Sequence, residues 1–343
     1  MNFSKRIYYL LLVVIIVLLL IYAESLLIPF VLAVLIWFVI RVLKAYIKKL
    51  PFMERWPHWL LTILSSIILL SLLSLTVSLI SSNIQQLSSS FPKYEKNIGV
   101  VAEKINDAFE IDLSQSFADA IKDFNFTNIL SSLFSALTSI FGNAFLILLY
   151  LVFILLEEPI FQRKLKAIYP AKDQRDRVSM ILLKVDRSIN NYIAIKTLTS
   201  LSTGFLSFFV LFFVGVDAPF FWAFIIFILN YIPNIGSLIA TLFPTVFALL
   251  QFGDFTHPLL VLIIVGAIQL TIGSLLEPRI MGNTLNMSPL VVFLTLAVWG
   301  AIWGVTGMLL SVPITVIIIL ILNEFPGTRS IAAMLSRRGD PDS

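Results

Sequence analysis

The chain has 343 residues, of which 59% are apolar and 13% charged, with a mean hydropathy of +0.97 and a formal net charge of +4. A soluble domain carries roughly a quarter charged residues, so this composition excludes an ordinary globular protein and points to a polytopic membrane protein. There is no Cys, which removes disulfides, thiolate nucleophiles and Cys metal sites; His58 and His257 each stand alone at the start of an apolar run.

Lys5 and Arg6 precede an apolar run from Ile7 to Tyr22, and a second run follows at once from Leu26 to Ile40 after the break Ala23-Glu24-Ser25. A secretory leader starts this way, but Ile21 fits a small-residue cleavage pattern poorly, so the pair reads as two spans joined by a tight external turn. Arg41, Lys44, Lys48, Lys49 and Arg55, set against the single acid Glu54, make the next loop cytoplasmic. His58–Ile80 is the third span, closing an N-terminal segment of residues 1–80.

Residues 81–135 turn polar, with four Lys against seven acids, which suits the extracytoplasmic face. Ile84, Leu87, Phe91, Tyr94, Ile98, Val101, Ile105 and Ala108 recur at steps of three and four, a heptad-like helical stripe that Pro92 should kink. The stripe packs either on neighbouring helices of its own chain or on another subunit. Segment 136–192 holds a fourth span, Ala136–Leu156, and a linker rich in Lys and Arg. Val178, Leu182, Val185, Ile189 and Tyr192 mark one helical face of the linker, as expected of an amphipathic helix lying on anionic lipid at the inner surface. Its mixed charges argue against nucleic-acid binding.

Residues 193–322 form the expected transport core. A fifth span, Ile193–Val214, is followed by an apolar run from Pro219 to Leu250 that is broken by the octet Asn230 to Ser237. As one helix those 32 residues would reach about 48 Å, against about 30 Å of hydrocarbon. One crossing is too long for the membrane and two are too short, so two half-length helices in a re-entrant hairpin, opening outward, fit best. Pro258–Leu276 is a sixth crossing that carries Gln269, Thr271 and Ser274 and ends at Glu277-Pro278-Arg279. A second long run, Pro289–Leu322, is interrupted around Trp299 to Gly307 and makes a second broken hairpin, opening inward; the tail 323–343, with Arg329, Arg337 and Arg338, is cytoplasmic. The hairpins share a rhythm, with Pro219, Gly236 and Pro244 in one and Pro289, Gly304 and Pro313 in the other. Span plus broken hairpin, twice and in opposite orientation, is the pattern of an inverted-repeat secondary transporter with its site at the repeat interface. The fold class is thus all-α, with about eight transmembrane elements, two of them re-entrant, plus the helical insert.

The motifs Asn230-Tyr-Ile-Pro-Asn-Ile-Gly-Ser, Leu276-Glu-Pro-Arg-Ile-Met-Gly-Asn, Ser288-Pro-Leu-Val-Val-Phe and Gly304-Val-Thr-Gly-Met-Leu-Leu-Ser-Val-Pro-Ile-Thr resemble those of the autoinducer-2 exporter family, and the similarity runs over nearly the whole chain. The resemblance implies an inner-membrane transporter of eight spans, oligomeric and pentameric, that exports the quorum-sensing signal autoinducer-2. Some relatives are described instead as sodium or lithium/proton antiporters.

The residues themselves weigh between these cargoes. A cation/proton antiporter usually needs a titratable carboxylate deep in the membrane, whereas Glu24, Glu157, Glu158, Asp217 and Glu277 all fall at expected span ends, Glu277 being the best placed. The pathway instead offers amides, hydroxyls, aromatic faces and loosened backbone: Asn230, Pro233, Asn234, Gly236, Ser237, Gln269, Thr271, Ser274, Trp299, Trp303, Gly304 and Gly307. Such groups suit a small neutral polar molecule, although unwound carbonyls can also bind Na+. Glu277 and Arg279, flanking Pro278, are expected to form a structural or gating charge pair, and Lys196 to snorkel to the inner surface. No cofactor or metal motif is present, and the sequence gives no handle for an enzyme; a channel or scaffold is the remaining alternative.

Overall fold

A computed structural model describes residues 3–109, 142–281, 287–337 and 339. Among the described residues the chain is all helix apart from one isolated bridge, Met287 to Ser336. Among the described residues six helices are long and apolar enough to cross a membrane, as hydrocarbon demands of a backbone that must satisfy its own polar groups. The chain divides into two compact units: Met1–Ser65, Phe141–Ala194 and Met281–Ser343 form one, and Ser66–Ile140 with Ile195–Ile280 the other. One broken hairpin falls in each unit.

In the first unit, α1 (Phe3–Tyr22) and α2 (Glu24–Lys48) are separated only by Ala23, whose N–H donates to the Leu19 carbonyl and whose carbonyl accepts from the Leu27 N–H, both at 2.9 Å. α3 (His58–Phe109) begins here. α4 (Ala144–Glu157) is the described part of the fourth span, whose residues 136–141 lie outside the described residues, and α5 (Phe161–Ile168) is a short helix after it. Phe30 on α2 meets Tyr150 on α4 edge-to-face at 5.6 Å. One end of this packing is tied by Arg41. Its guanidinium covers the Trp37 ring at 4.8 Å, lies 3.7 Å from Glu158 and forks onto Asp186 of α6 (Lys172–Val214), while the Trp37 indole N–H donates to Glu158 at 2.9 Å. α11 (Pro289–Glu324) carries the second hairpin, and α12 (Arg329–Leu335) returns the tail to its start, the Ser288 N–H reaching the Leu335 carbonyl at 3.2 Å.

α6 corrects one expectation. A surface helix ending near Tyr192 and a separate span from Ile193 were anticipated, yet the 43 residues from Lys172 to Val214 form one helix. The segment contains no Pro and only one Gly, so nothing interrupts its hydrogen-bond ladder. Along the anticipated apolar face Ile189 and Tyr192 are buried, whereas Leu182 is exposed.

The second unit holds the rest of α3, which stays helical through Pro92, and buries Leu87, Tyr94 and Val101 of the predicted stripe. Ile84 is half-buried; the side chains of Phe91, Ile98, Ile105 and Ala108 lie outside the described residues. α7 (Pro219–Leu229) and α8 (Ile235–Phe252) form the first hairpin. Trp222 and Phe247, 25 positions apart in sequence, lie with ring centroids 4.9 Å apart, so the two helices run back alongside each other. The arms are unequal, 11 and 18 residues, not two halves. α9 (Thr256–Gln269) passes into a π-helical stretch, Leu270–Leu276, and then α10 (Glu277–Met281).

Candidate substrate site

The two hairpin tips are built the same way. In the first, α7 ends at Leu229 and α8 starts at Ile235, with Asn234 between them at φ +59°, ψ −57°. The Ile235 N–H reaches back to the Pro233 carbonyl at 2.6 Å, which makes Asn234 the centre of a γ-turn of the rare, strained kind. A Cβ on Gly236 would lie 1.8 Å from the Leu229 carbonyl oxygen and 3.0 Å from the Ile232 Cβ, so only glycine lets the chain reverse this tightly. In the second, Trp303 and Gly304 leave helical geometry, Gly304 at φ +59°, ψ −141°. A Cβ on Gly307 would lie 1.9 Å from the Trp299 carbonyl oxygen and 3.0 Å from the Trp303 Cβ. The sequence rhythm matched Gly236 with Gly304; the geometry pairs Gly236 with Gly307, and Asn234 with Gly304.

Around the first tip lies a polar set within the second unit. Tyr231 shares a 2.8 Å hydrogen bond with Thr197 of α6. One residue before Thr197, Lys196 is buried and donates to Glu277 at 2.5 Å, and Thr199 donates to the other Glu277 oxygen at 3.3 Å. Glu277 is thus paired with Lys196, while Arg279 is exposed on α10. This replaces both the anticipated Glu277–Arg279 pair and the snorkelling Lys196: the Lys196 stem reaches a carboxylate brought up by a different helix, which sequence spacing does not reveal. Asn230 and Gln269 are buried, each 5% exposed, and neither the Asn230 amide nitrogen nor either polar atom of Gln269 has a partner among the described residues. Gln269 is the last residue of α9 before the π-helical stretch, a wide-turned geometry common at functional sites.

The other sequence-predicted residues are placed as follows. Asn234 is exposed, Pro233 half-buried, and the half-buried Ser237 hydroxyl donates to the Asn234 carbonyl at 2.8 Å. Thr271 and Ser274 are exposed on the π-helical stretch. Trp299 and Trp303 are buried in the first unit, where they pack with Leu310 and with side chains of α1 and α2. The Trp299 indole N–H donates to Thr315 at 3.3 Å and that of Trp303 to the Leu20 carbonyl at 3.0 Å. In this conformation both indoles are spent on packing, whereas Asn230 and Gln269 keep free hydrogen-bonding capacity.

Sequence reasoning missed the clamp at the open end of the first hairpin. Gln251 donates to the Gly215 carbonyl at 2.8 Å and accepts from the Asp217 N–H at 2.7 Å, closing the two ends of the hairpin on each other. From α3, the Asn97 amide donates to the carbonyls of Leu250 and Gln251 at 3.0 and 2.7 Å, Lys104 to that of Gly253 at 2.8 Å, and the Tyr94 hydroxyl to Asp217 at 2.7 Å. Burial, then the Asp217 carboxylate, push the Tyr94 hydroxyl well above its ordinary pKa. The one available signal was Tyr94, with its hydroxyl, in an otherwise apolar stripe, and Asn97 three residues on beside that stripe.

The sequence pattern of the AI-2E family transporters matches residues 10–327. The chain is 34% identical over 322 residues to the AI-2 transport protein TqsA of Escherichia coli (strain K12), covering 92% of this chain and 90% of that protein. It is also 30% identical over 328 residues to a protein of Haemophilus influenzae, covering 91% and 90%, and 30% identical over 286 residues to YhhT of Escherichia coli (strain K12), covering 80% and 78%. The names of these last two give a transport role only provisionally and no cargo.

Proposed function

The chain belongs to the AI-2E family of transporters and is a multi-pass membrane protein, not an enzyme, and from that premise we propose that it exports a small neutral polar signal, autoinducer-2, across the bacterial inner membrane. The observation that carries this reading is the pair of buried amides, Asn230 and Gln269: the Asn230 amide nitrogen and both polar atoms of Gln269 have no partner among the described residues. A buried polar atom without a partner is expensive, and one beside a hairpin tip is a place where a hydroxyl or carbonyl of a cargo completes the hydrogen bonding. Glu277 favours the same cargo from the other direction. Its two oxygens are engaged by Lys196 and Thr199, which leaves it poorly suited to the Na+(Li+)/H+ exchange that is the second reading.

In this proposal the two broken hairpins are re-entrant, bringing the transmembrane elements to about eight, and transport proceeds by alternating access. Both termini are cytoplasmic, anionic lipid meets the Lys- and Arg-rich segment around Lys164–Arg187, and the working form is a homo-oligomer, a pentamer by the family resemblance.

Flux in proteoliposomes of autoinducer-2, Na+ and H+, each with and without an imposed proton gradient, tests the reading. Autoinducer-2 flux that is lost in Asn230→Leu and Gln269→Leu, with assembly intact, is the expected result. Cation exchange with no autoinducer-2 flux would replace the first reading with the second, and dissipative flux insensitive to every gradient would indicate a channel.

A further inference from the structure

One more polar group beside the first tip has no structural employment. On α6, Thr197, Ser200 and Gly204 share a face at steps of three and four. Its two ends are fixed against α7 and the turn that follows it. A Cβ on Gly204 would lie 3.0 Å from the Ala223 carbonyl oxygen and 3.1 Å from the Phe227 Cβ, and Thr197 is hydrogen-bonded to Tyr231. As α6 is followed from 204 back to 197, its partner advances from 223 to 231, so the two helices are antiparallel. Ser200 is bracketed between these contacts and faces the stretch of chain from Phe227 on α7 to Asn230 just beyond its end.

Ser200 is fully buried, and its hydroxyl has no partner among the described residues. A helical Ser or Thr ordinarily rests its hydroxyl on the carbonyl one turn earlier, as Thr203 does on Thr199 and Thr241 on Ser237. For Ser200 that carbonyl belongs to Lys196, and the Ser200 hydroxyl makes no such bond. The Ser200 hydroxyl thus stays off its own backbone, on the face of α6 that lies between the Phe227 and Tyr231 contacts, and Asn230, whose amide nitrogen also lacks a partner among the described residues, falls in that same stretch of chain.

We propose that Ser200 is a substrate-positioning residue whose hydroxyl acts with the Asn230 amide to hold one oxygen function of a neutral, multiply hydroxylated solute at the first hairpin tip. The amide nitrogen donates to the solute oxygen, and the Ser200 hydroxyl accepts from or donates to the same or the adjacent function. With Lys196 and Glu277 neutralising each other nearby, the surroundings add no net charge, which selects against ions. This inference rests on the transport reading above.

The test compares wild type, Ser200→Ala and Ser207→Ala in purified form. Ser207 lies on the same face of α6 two turns further from Asn230 and serves as the position control. Alanine keeps the packing volume and removes only the hydroxyl. In proteoliposomes, Ser200→Ala should raise the KM for autoinducer-2 about two- to tenfold, the loss of one neutral hydrogen bond, with Vmax retained and Ser207→Ala at the wild-type KM. Without ligand, Ser200→Ala should melt no lower than wild type, because it deletes a buried hydroxyl that nothing satisfies; a purely structural serine would lower it. An unchanged KM in Ser200→Ala, or an equal rise in both variants, overturns the assignment. If wild type moves no autoinducer-2, the transport reading of that cargo fails, and thermal shifts with glycerol, erythritol and ribose then decide Ser200. A shift present in wild type and lost in Ser200→Ala keeps the assignment, and no such shift with any of the three overturns it.

Discussion

At the scale of single residues, the two tips hang on glycines for which no other side chain has room. Gly236→Ala and Gly307→Ala each drive a methyl into a backbone carbonyl at under 2 Å, so each should lose transport and about 1–3 kcal/mol or more of stability, read as a fall in melting temperature. Gly99→Ala is the control, with nothing within 4 Å of the new methyl. Buried charge gives a second prediction. Lys196→Met leaves Glu277 unpaired and should cost about 3–5 kcal/mol, much of it recovered in the Lys196→Met, Glu277→Gln double variant, since removing one member of a buried pair is worse than removing both. A third concerns acid. Burial pushes the Asp254 carboxyl up, but hydrogen bonds from the His257 backbone and ring, with the charges of His257 and Lys104, outweigh it and hold the carboxyl below its usual range. A lowered folded value contributes stability above the ordinary carboxylate range, lost as pH falls through the folded value. Asp254→Asn should therefore lower the neutral plateau and flatten the acid side of the stability profile, the two proteins converging as pH falls through the folded Asp254 value.

At the scale of elements, the part of α3 around Tyr94–Lys104 acts as a splint on the first hairpin. Asn97 and Gln251 between them satisfy three backbone carbonyls and one N–H at the hairpin's open end. Asn97→Ala and Gln251→Ala should each cost about 1–3 kcal/mol, with a sum that departs from additivity because the two share Gln251 as a partner. Hydrogen exchange should rise at residues 215–217 and 250–253 and stay unchanged in the second hairpin. The same scale shows what local sequence carries. The breaks at Asn230–Ser237 and Trp299–Gly307 were legible because Pro, Gly and Asn disturb a helix wherever it goes. The matching of Gly236 with Gly307 was not, since it depends on which carbonyl each glycine meets after the chain reverses. The continuity of α6 was misread for a related reason: a change in composition from charged to apolar near Ile193 changes what surrounds a helix without changing its backbone.

At the scale of the whole molecule, charge distribution sets the expected sidedness. Single cysteines placed in this Cys-free chain at Lys104 and Arg329 should react with an impermeant maleimide from opposite sides of a sealed membrane, Lys104 from outside; labelling of both from one side would overturn the proposed orientation. The sequence by itself determined the membrane class, the helical content, the positions of the two hairpin breaks and the poverty of the core in free carboxylates, because hydrophobic run length, helix breakers and residue chemistry act locally along the chain. Only the tertiary structure decided that Lys196 belongs to Glu277, that Trp299 and Trp303 serve packing, that Asn97 and Gln251 hold a hairpin shut, and that Asn230, Gln269 and Ser200 each keep a polar atom with no partner among the described residues. Each of those outcomes depends on which side chain a separate helix brings within about 3 Å.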